Sequence, residues 1–380
     1  MIPCQRDLFD IPEGVTYLNC AYMSPLLRSA VQAGAHGAAR KAHPWLIQSD
    51  DFFAECEELR ILFGQIAGCS PDHVALIPSA SYGMAVAARN VPVASGQRVL
   101  LLDESFPSIV HPWRERARET GAEAVLLPRP ADDDWTETIL DAIDERTAVA
   151  ALPQCHWTDG GLVDLVAVGT RLREVGAALV VDATQSLGAL PLHLAAARPD
   201  FLVAAGYKWL LGPYSLGYLY VAEQHLEGRP IEFNWITREG AEDFSSLVRY
   251  RDGFRPGARR FDVGEVSNFT LTPMARAGLG QLLDWGVDEI HATLSSLTGR
   301  LADAATDLGL DVAPPGYRAG HYLGIRFPGG VPSPLAARLR EANIHVSVRG
   351  NALRVTPHLY NTEADLDRLL HHLADPEVTP

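Results

Sequence analysis

Lysine is nearly absent from this 380-residue chain: it occurs only at Lys41 and Lys208, and the other 30 of its 32 basic residues are arginine. Arginine serves as well as lysine for a surface cation, but it cannot replace an amine that must lose its proton and attack a carbonyl. Lys41 lies in the polar run Arg40-Lys41-Ala42-His43 and reads as solvated. Lys208 sits between two apolar stretches, residues 201–205 and 209–211. The five cysteines, Cys4, Cys20, Cys56, Cys69 and Cys155, form no C-x-x-C pair, which excludes the common zinc motifs and a disulfide frame. They read as reduced thiols of a cytoplasmic protein. The N-terminus lacks a basic stretch followed by an apolar one, so no signal peptide is expected. Apolar runs such as 177–181 are too short to span a membrane. A net charge of −15 argues against general binding to nucleic acid or anionic lipid. Nucleotide loops of the G-x-x-x-x-G-K-[ST] or G-x-G-x-x-G kind are missing, and so is a G-x-S-x-G elbow. No metal site is expected; His371-His372 are helical neighbours that point different ways.

What is present is alternation. Apolar runs at 74–77, 98–102, 124–127, 148–152, 178–181, 201–204 and 217–221 read as buried strands. Helical patterns at 81–90, 108–120, 136–144 and 165–175 lie between them. This predicts an α/β fold with a mostly parallel sheet flanked by helices. After about residue 253 the pattern changes. One long helical stretch is expected at 273–308, then strands at 321–327, 345–348 and 353–355, and helices near 334–342 and 362–373. The expected division is a large domain, 18–255, and a small C-terminal α/β domain built from 256–380 with residues 1–17.

Candidate chemistry lies where strands end, since ligands of open parallel sheets bind beyond their carboxyl ends. The run 178–181 ends in Asp182, followed by Gln185; the plain alternative is a helix cap. Lys208 follows the run 201–205 and can form a Schiff base; the alternative is a snorkelling surface lysine. Tyr207 beside it can offer a hydroxyl to a phosphate. Ala80 and Ser81 open a helix after a strand, a place suited to a phosphate dianion or to an ordinary cap. Phe106 can stack on a flat ring or pack in the core. His156 can bond a phenolic oxygen or be structural. Arg354, alternating with apolar residues in 353–355, suits a substrate carboxylate or a structural ion pair. A lysine, a strand-end carboxylate and a phosphate turn together suit pyridoxal 5′-phosphate (PLP), whose pyridine nitrogen needs an acid beside it.

The order of these residues resembles the class V aminotransferase family of fold-type I PLP-dependent enzymes, which includes kynureninases, isopenicillin-epimerase-like proteins and cysteine desulfurases. The likeness runs from Tyr17-Leu18-Asn19 to Tyr360-Asn361-Thr362. It implies that Lys208 forms the internal aldimine, Asp182 faces the pyridine nitrogen and Gln185 lies near the phenolic oxygen. Ala80 and Ser81 would hold the phosphate, Phe106 would stack on the ring and Arg354 would bind the substrate α-carboxylate. Asn268 lies where the family reaches across a homodimer interface, and Trp235 near an aromatic of the kynureninase site. Asn19 belongs to one of the loops expected to shape substrate specificity. The stretch 346–352 has no cysteine, so a persulfide-forming desulfurase is not expected. Gln185 stands where kynureninases tend to have His. The resemblance implies an enzyme acting on a small-molecule α-amino acid through a quinonoid, as an aminotransferase or a C–S/Cβ lyase. Kynureninase-like hydrolysis, epimerisation and decarboxylation are the alternatives. A non-catalytic amino-acid sensor or partner subunit is the alternative of another class.

Overall fold

The computed structural model describes residues 1–327 and 329–375. Its strands, in chain order, are β1 (Thr16–Tyr17), β2 (Val74–Ile77), β3 (Arg98–Leu102), β4 (Glu123–Leu127), β5 (Thr147–Pro153), β6 (Ala178–Asp182) and β7 (Phe201–Ala205). There follow β8 (Gly217–Val221), β9 (Asp311–Val312), β10 (Leu323–Arg326), β11 (Ile344–His345), β12 (Ser347–Arg349) and β13 (Ala352–Val355). Seven of them form one sheet in the order β2-β8-β7-β6-β5-β3-β4. Only β8 runs against its neighbours; the remaining pairs are parallel.

The central strands are apolar throughout because both faces of the sheet are covered. Successive side chains point to opposite faces. Leu179, Val181, Leu202 and Ala204 therefore join one core cluster, while Val180, Phe201 and Val203 join the other. Helix α3 (Ala80–Asn90) and the helix Pro107–Thr120 cover the second face through Met84, Val86, Ile109 and Trp113. The first face is covered by the helices Ala54–Ala67, Trp135–Ala142, Leu165–Glu174 and Leu271–Trp285.

A second, antiparallel sheet has the order β12-β13-β10-β9. It packs against the helices Ser333–Glu341 and Glu363–Leu373 and the end of Val287–Asp307 through Leu301, Leu335, Leu339, Leu366 and Leu369. The short parallel pair β1–β11 ties the N-terminal segment to this part.

Three expectations change. The helical stretch 273–308 is two helices, Leu271–Trp285 and Val287–Asp307, because Gly286 between them has φ 78°. The expected strand 345–348 is split between β11 and β12. The helices Arg28–Arg40 and Ala54–Ala67 were not anticipated. We also propose that the two parts of the chain meet inside the helix Val287–Asp307 and not at residue 256. Its early residues Ile290 and Leu294 belong to the large-sheet core, as do Ala258 and Phe261, whereas Leu301, Ala302 and Ala305 belong to the small one.

One buried ion pair holds the strand that leads into the site. Arg60 is fully buried; it donates two bonds to Asp262, and Asp262 Oδ1 accepts from Leu76 N at 2.8 Å on β2. Arg60→Ala leaves that carboxylate buried and unpaired. A loss of about 3–5 kcal/mol is expected in urea titration; a loss of under about 1 kcal/mol, typical of an exposed pair, would contradict the assignment.

Candidate active site

Parallel β5, β6 and β7 end at one edge of the large sheet. Because β8 is antiparallel to both β7 and β2, β2 ends there too. The segments beyond these ends enclose one cavity, lined by Ser79, Ala80, Ser81, Phe106, Trp157, Asp182, Gln185, Tyr207 and Lys208 among others. A second cavity adjoins it and is lined by Tyr22, Tyr214, Arg349 and Arg354 together with Phe106, Trp157, Tyr207 and Lys208. Lys208 thus stands at the junction of the two.

Lys208 is 6% exposed. Burial pushes its ammonium down to about 8, although the Asp182 charge opposes this. Its Nζ lies 5.5 Å from the centre of the Phe106 ring and 5.6 Å from that of Tyr207. Asp182, at the end of β6, is buried and accepts from Thr184 N at 2.9 Å. Among the described residues no cation lies within ion-pair distance of it, and burial raises its pKa. A buried carboxylate without a cation is costly, so this position fits a protonated ring nitrogen.

The phosphate end has a matching cradle. Ser79 caps α3, accepting from Tyr82 N at 3.2 Å, and its Oγ lies 2.9 Å from Ser81 Oγ. The first turn of α3 contains no acid. Its amide dipoles and hydroxyls suit a dianion. Gln185 lines the wall, but much of its amide is already engaged. Its Nε2 donates to Ala21 O at 3.1 Å and its Oε1 accepts from Trp209 Nε1 at 3.0 Å, leaving one N–H free. These residues fit PLP in charge, order and shape.

On the second side Arg354 is 1% exposed. Its Nη1 donates to Trp157 O at 3.1 Å, while its buried Nε has no partner. Asn19 is not part of the wall; its Oδ1 accepts from Ser347 Oγ at 2.9 Å, beside Arg354. Trp157 is fixed in turn, donating from Nε1 to Glu104 O at 2.6 Å.

Three sequence candidates lie elsewhere. His156 is fully buried and stacks on Trp135 with centroids 5.1 Å apart. Its Nδ1 meets Thr158 Oγ1 and its Nε2 meets Asp103 O, so both nitrogens are engaged away from the cavity. Trp235 packs with Phe52, Phe53 and Phe244 beside a different depression. Asn268 is exposed and caps the helix Leu271–Trp285, accepting from Thr270 N and Leu271 N. Conversely, Arg349 was not singled out from sequence. A hairpin reading supplies the signal: Ser347 pairs with Arg354 across the strands, and Arg349, two residues on, shares that face.

Known proteins resemble this chain in sequence and in fold. The family described as Aminotransferase class-V matches residues 39–369. An uncharacterized aminotransferase, YcbU, of Bacillus subtilis is 27% identical over 82% of this chain and 81% of its own. Isopenicillin N epimerase of Streptomyces clavuligerus is 26% identical over 93% of each chain. A solved structure of a C-DES variant with glycine linked to its PLP cofactor superposes with a TM-score of 0.88, at 20% identity, covering 98% of this chain and 99% of that one; this shows the same fold. Sequence and fold agree that the chain belongs to the class-V aminotransferase family and is a PLP-dependent enzyme.

Proposed function

We propose that Lys208 binds the cofactor covalently and that the chain is an aminotransferase of small α-amino acids. PLP, when bound, supplies an aldehyde for amines and a ring that withdraws electrons from the substrate α-carbon. The chain's own residues do the rest. Asp182 would keep the ring nitrogen protonated, the turn Ser79-Ala80-Ser81 would hold the phosphate, and Phe106 would cover the ring. Arg354 holds the substrate α-carboxylate and so aims the α-hydrogen toward Lys208 Nζ. Lys208, with its amine free, would take that proton.

The carrying observation is the position of one buried lysine between an anion cradle with a carboxylate and a pocket lined by the guanidiniums of Arg354 and Arg349. A single amine favours transamination over epimerisation, the other proton carriers lining the cavities being hydroxyls such as those of Tyr22, Tyr207 and Tyr214. One amine can remove a proton and return it on the same face, whereas inversion needs a second group opposite. Among the described residues lining the two cavities, Lys208 is the only amine. A persulfide-forming reaction is disfavoured, since no cysteine lines the Arg354 side, and burial pushes the Cys155 thiol on the other side well up.

We also propose a homodimer in which Trp235 and Asn268, outside the two cavities around Lys208, meet a second copy, and a cytoplasmic location consistent with five unpaired cysteines. No helix among the described residues is long and apolar enough to cross a membrane.

The test is the visible spectrum of the holoprotein during single-turnover mixing with amino acids. Transamination bleaches the visible band with release of a 2-oxo acid, and adding a 2-oxo acid restores it. A band that persists while ammonia or a cleaved side chain appears would replace this reading with a lyase.

A further inference from the structure

We propose that Arg349 forms a second carboxylate site, so that the preferred substrates are α-amino acids with an acidic side chain. This rests on the reading of Arg354 as the α-carboxylate anchor. Arg349 lines the same cavity as Arg354 and Lys208. It lies on β12, two residues from Ser347, which is paired with Arg354 on β13. Both guanidiniums therefore emerge on one face of one hairpin.

The electrostatics of this cavity are unusual for the molecule. Most arginines of this acidic chain are neutralised; Arg60, Arg259, Arg276, Arg300 and Arg326, for example, each meet carboxylates. Among the described residues neither Arg349 nor Arg354 has a carboxylate within ion-pair distance, and the cavity wall contains no Asp or Glu. The guanidinium of Arg349 stacks 5.5 Å from the centre of the Trp157 ring, and its Nη1 donates to Val348 O at 2.8 Å. Burial and the nearby Arg354 charge both press its pKa downward. The buried Arg354 and the half-buried Arg349 repel each other, and the arrangement is relieved by anions.

The two are unequal in depth. Arg354 is sunk at the floor, whereas Arg349 is half-buried toward the opening, near the exposed Tyr22 and Tyr214. A carboxylate on Arg354 leaves Arg349 facing outward along the side chain of the substrate. The tyrosines and Trp157 then flank the carbon chain. The ligand class is an α-amino acid bearing a terminal carboxylate, recognised by the planar fork of Arg349.

The experiment compares matched pairs, aspartate with asparagine and glutamate with glutamine, by titrating the visible spectrum of the holoprotein. For at least one pair, the acid should bind roughly tenfold to a hundredfold more tightly than its amide. That ratio should collapse toward unity in Arg349→Gln and survive in part in Arg349→Lys. Retention of the visible band in each variant shows that it folds and loads cofactor. In Arg354→Gln both members of a pair should weaken together. A preference that persists in Arg349→Gln, or its absence from the wild type, overturns the second site while leaving the function reading intact. If no amino acid alters the spectrum of cofactor-loaded protein, the reading beneath it fails and the second site falls with it.

Discussion

Lys208→Ala is expected to lose the visible absorption of covalently bound cofactor and to lower turnover by at least about 10³-fold, since it removes both the attachment point and the proton carrier. Lys41 cannot substitute, because it is exposed and lies in the polar segment after the helix Arg28–Arg40. The same residue predicts a pH profile. Only a neutral amine attacks an aldehyde, and burial lowers the Lys208 pKa to about 8. The lowered value enlarges the neutral fraction at any given pH. Cofactor capture by the apoprotein should therefore slow about tenfold per unit below pH 8 and level off above it. An ordinary lysine would let the rate climb to about pH 10.4. Stopped-flow mixing of apoprotein with PLP reads this directly; a rate still rising steeply at pH 9 would contradict the burial argument.

Asp182→Ala is expected to lower kcat by about 10²–10³-fold, the usual effect of removing one prepositioned electrostatic partner. The cofactor band should remain, because Lys208 is intact. Stability should move the other way in the apoprotein. Asp182 is buried with no cation within ion-pair distance among the described residues; burial raises its pKa, and the more distant Lys208 offsets this only in part. Its removal relieves an unpaired charge, so the apo variant should melt no lower than the apo wild type. A variant that loses activity only because it unfolds would instead melt well below it, and calorimetry on both apoproteins separates the two. The position then reads as one where the fold accepts strain for function.

Much of this was legible in the chain itself. Strands β2, β3 and β8 fall where the apolar runs placed them, because a sheet covered on both faces buries nearly every side chain of these strands. Asp182 ends a strand, Arg354 lies on a short one, and Lys208 and Ser81 follow within four residues of a strand end, and the fold gathers them at two adjoining cavities. What the sequence did not place at these cavities has physical reasons. His156 follows a strand, as a ligand would, but which way its ring turns depends on Trp135 and Asp103, residues distant in sequence. Asn268 carries a helix-capping oxygen that sequence position alone could not separate from a cofactor contact. The helix Arg28–Arg40 was missed because its buried side includes Gly34 and Gly37, which carry no apolar signal. They are small because Met274 and the Phe269 carbonyl lie where a Cβ would be. Arg349 shares a face with Arg354 only through the pairing of Ser347 with Arg354, a register that the local sequence does not show.

The most direct test of the central claim uses the scarcity of lysine. Borohydride reduction of the holoprotein freezes a cofactor–lysine linkage, and peptide mass spectrometry locates it. With only Lys41 and Lys208 available, the result is close to binary. The account predicts the added cofactor mass on the peptide containing Lys208 alone. The mass on Lys41, or no reducible linkage in cofactor-loaded protein, would contradict it.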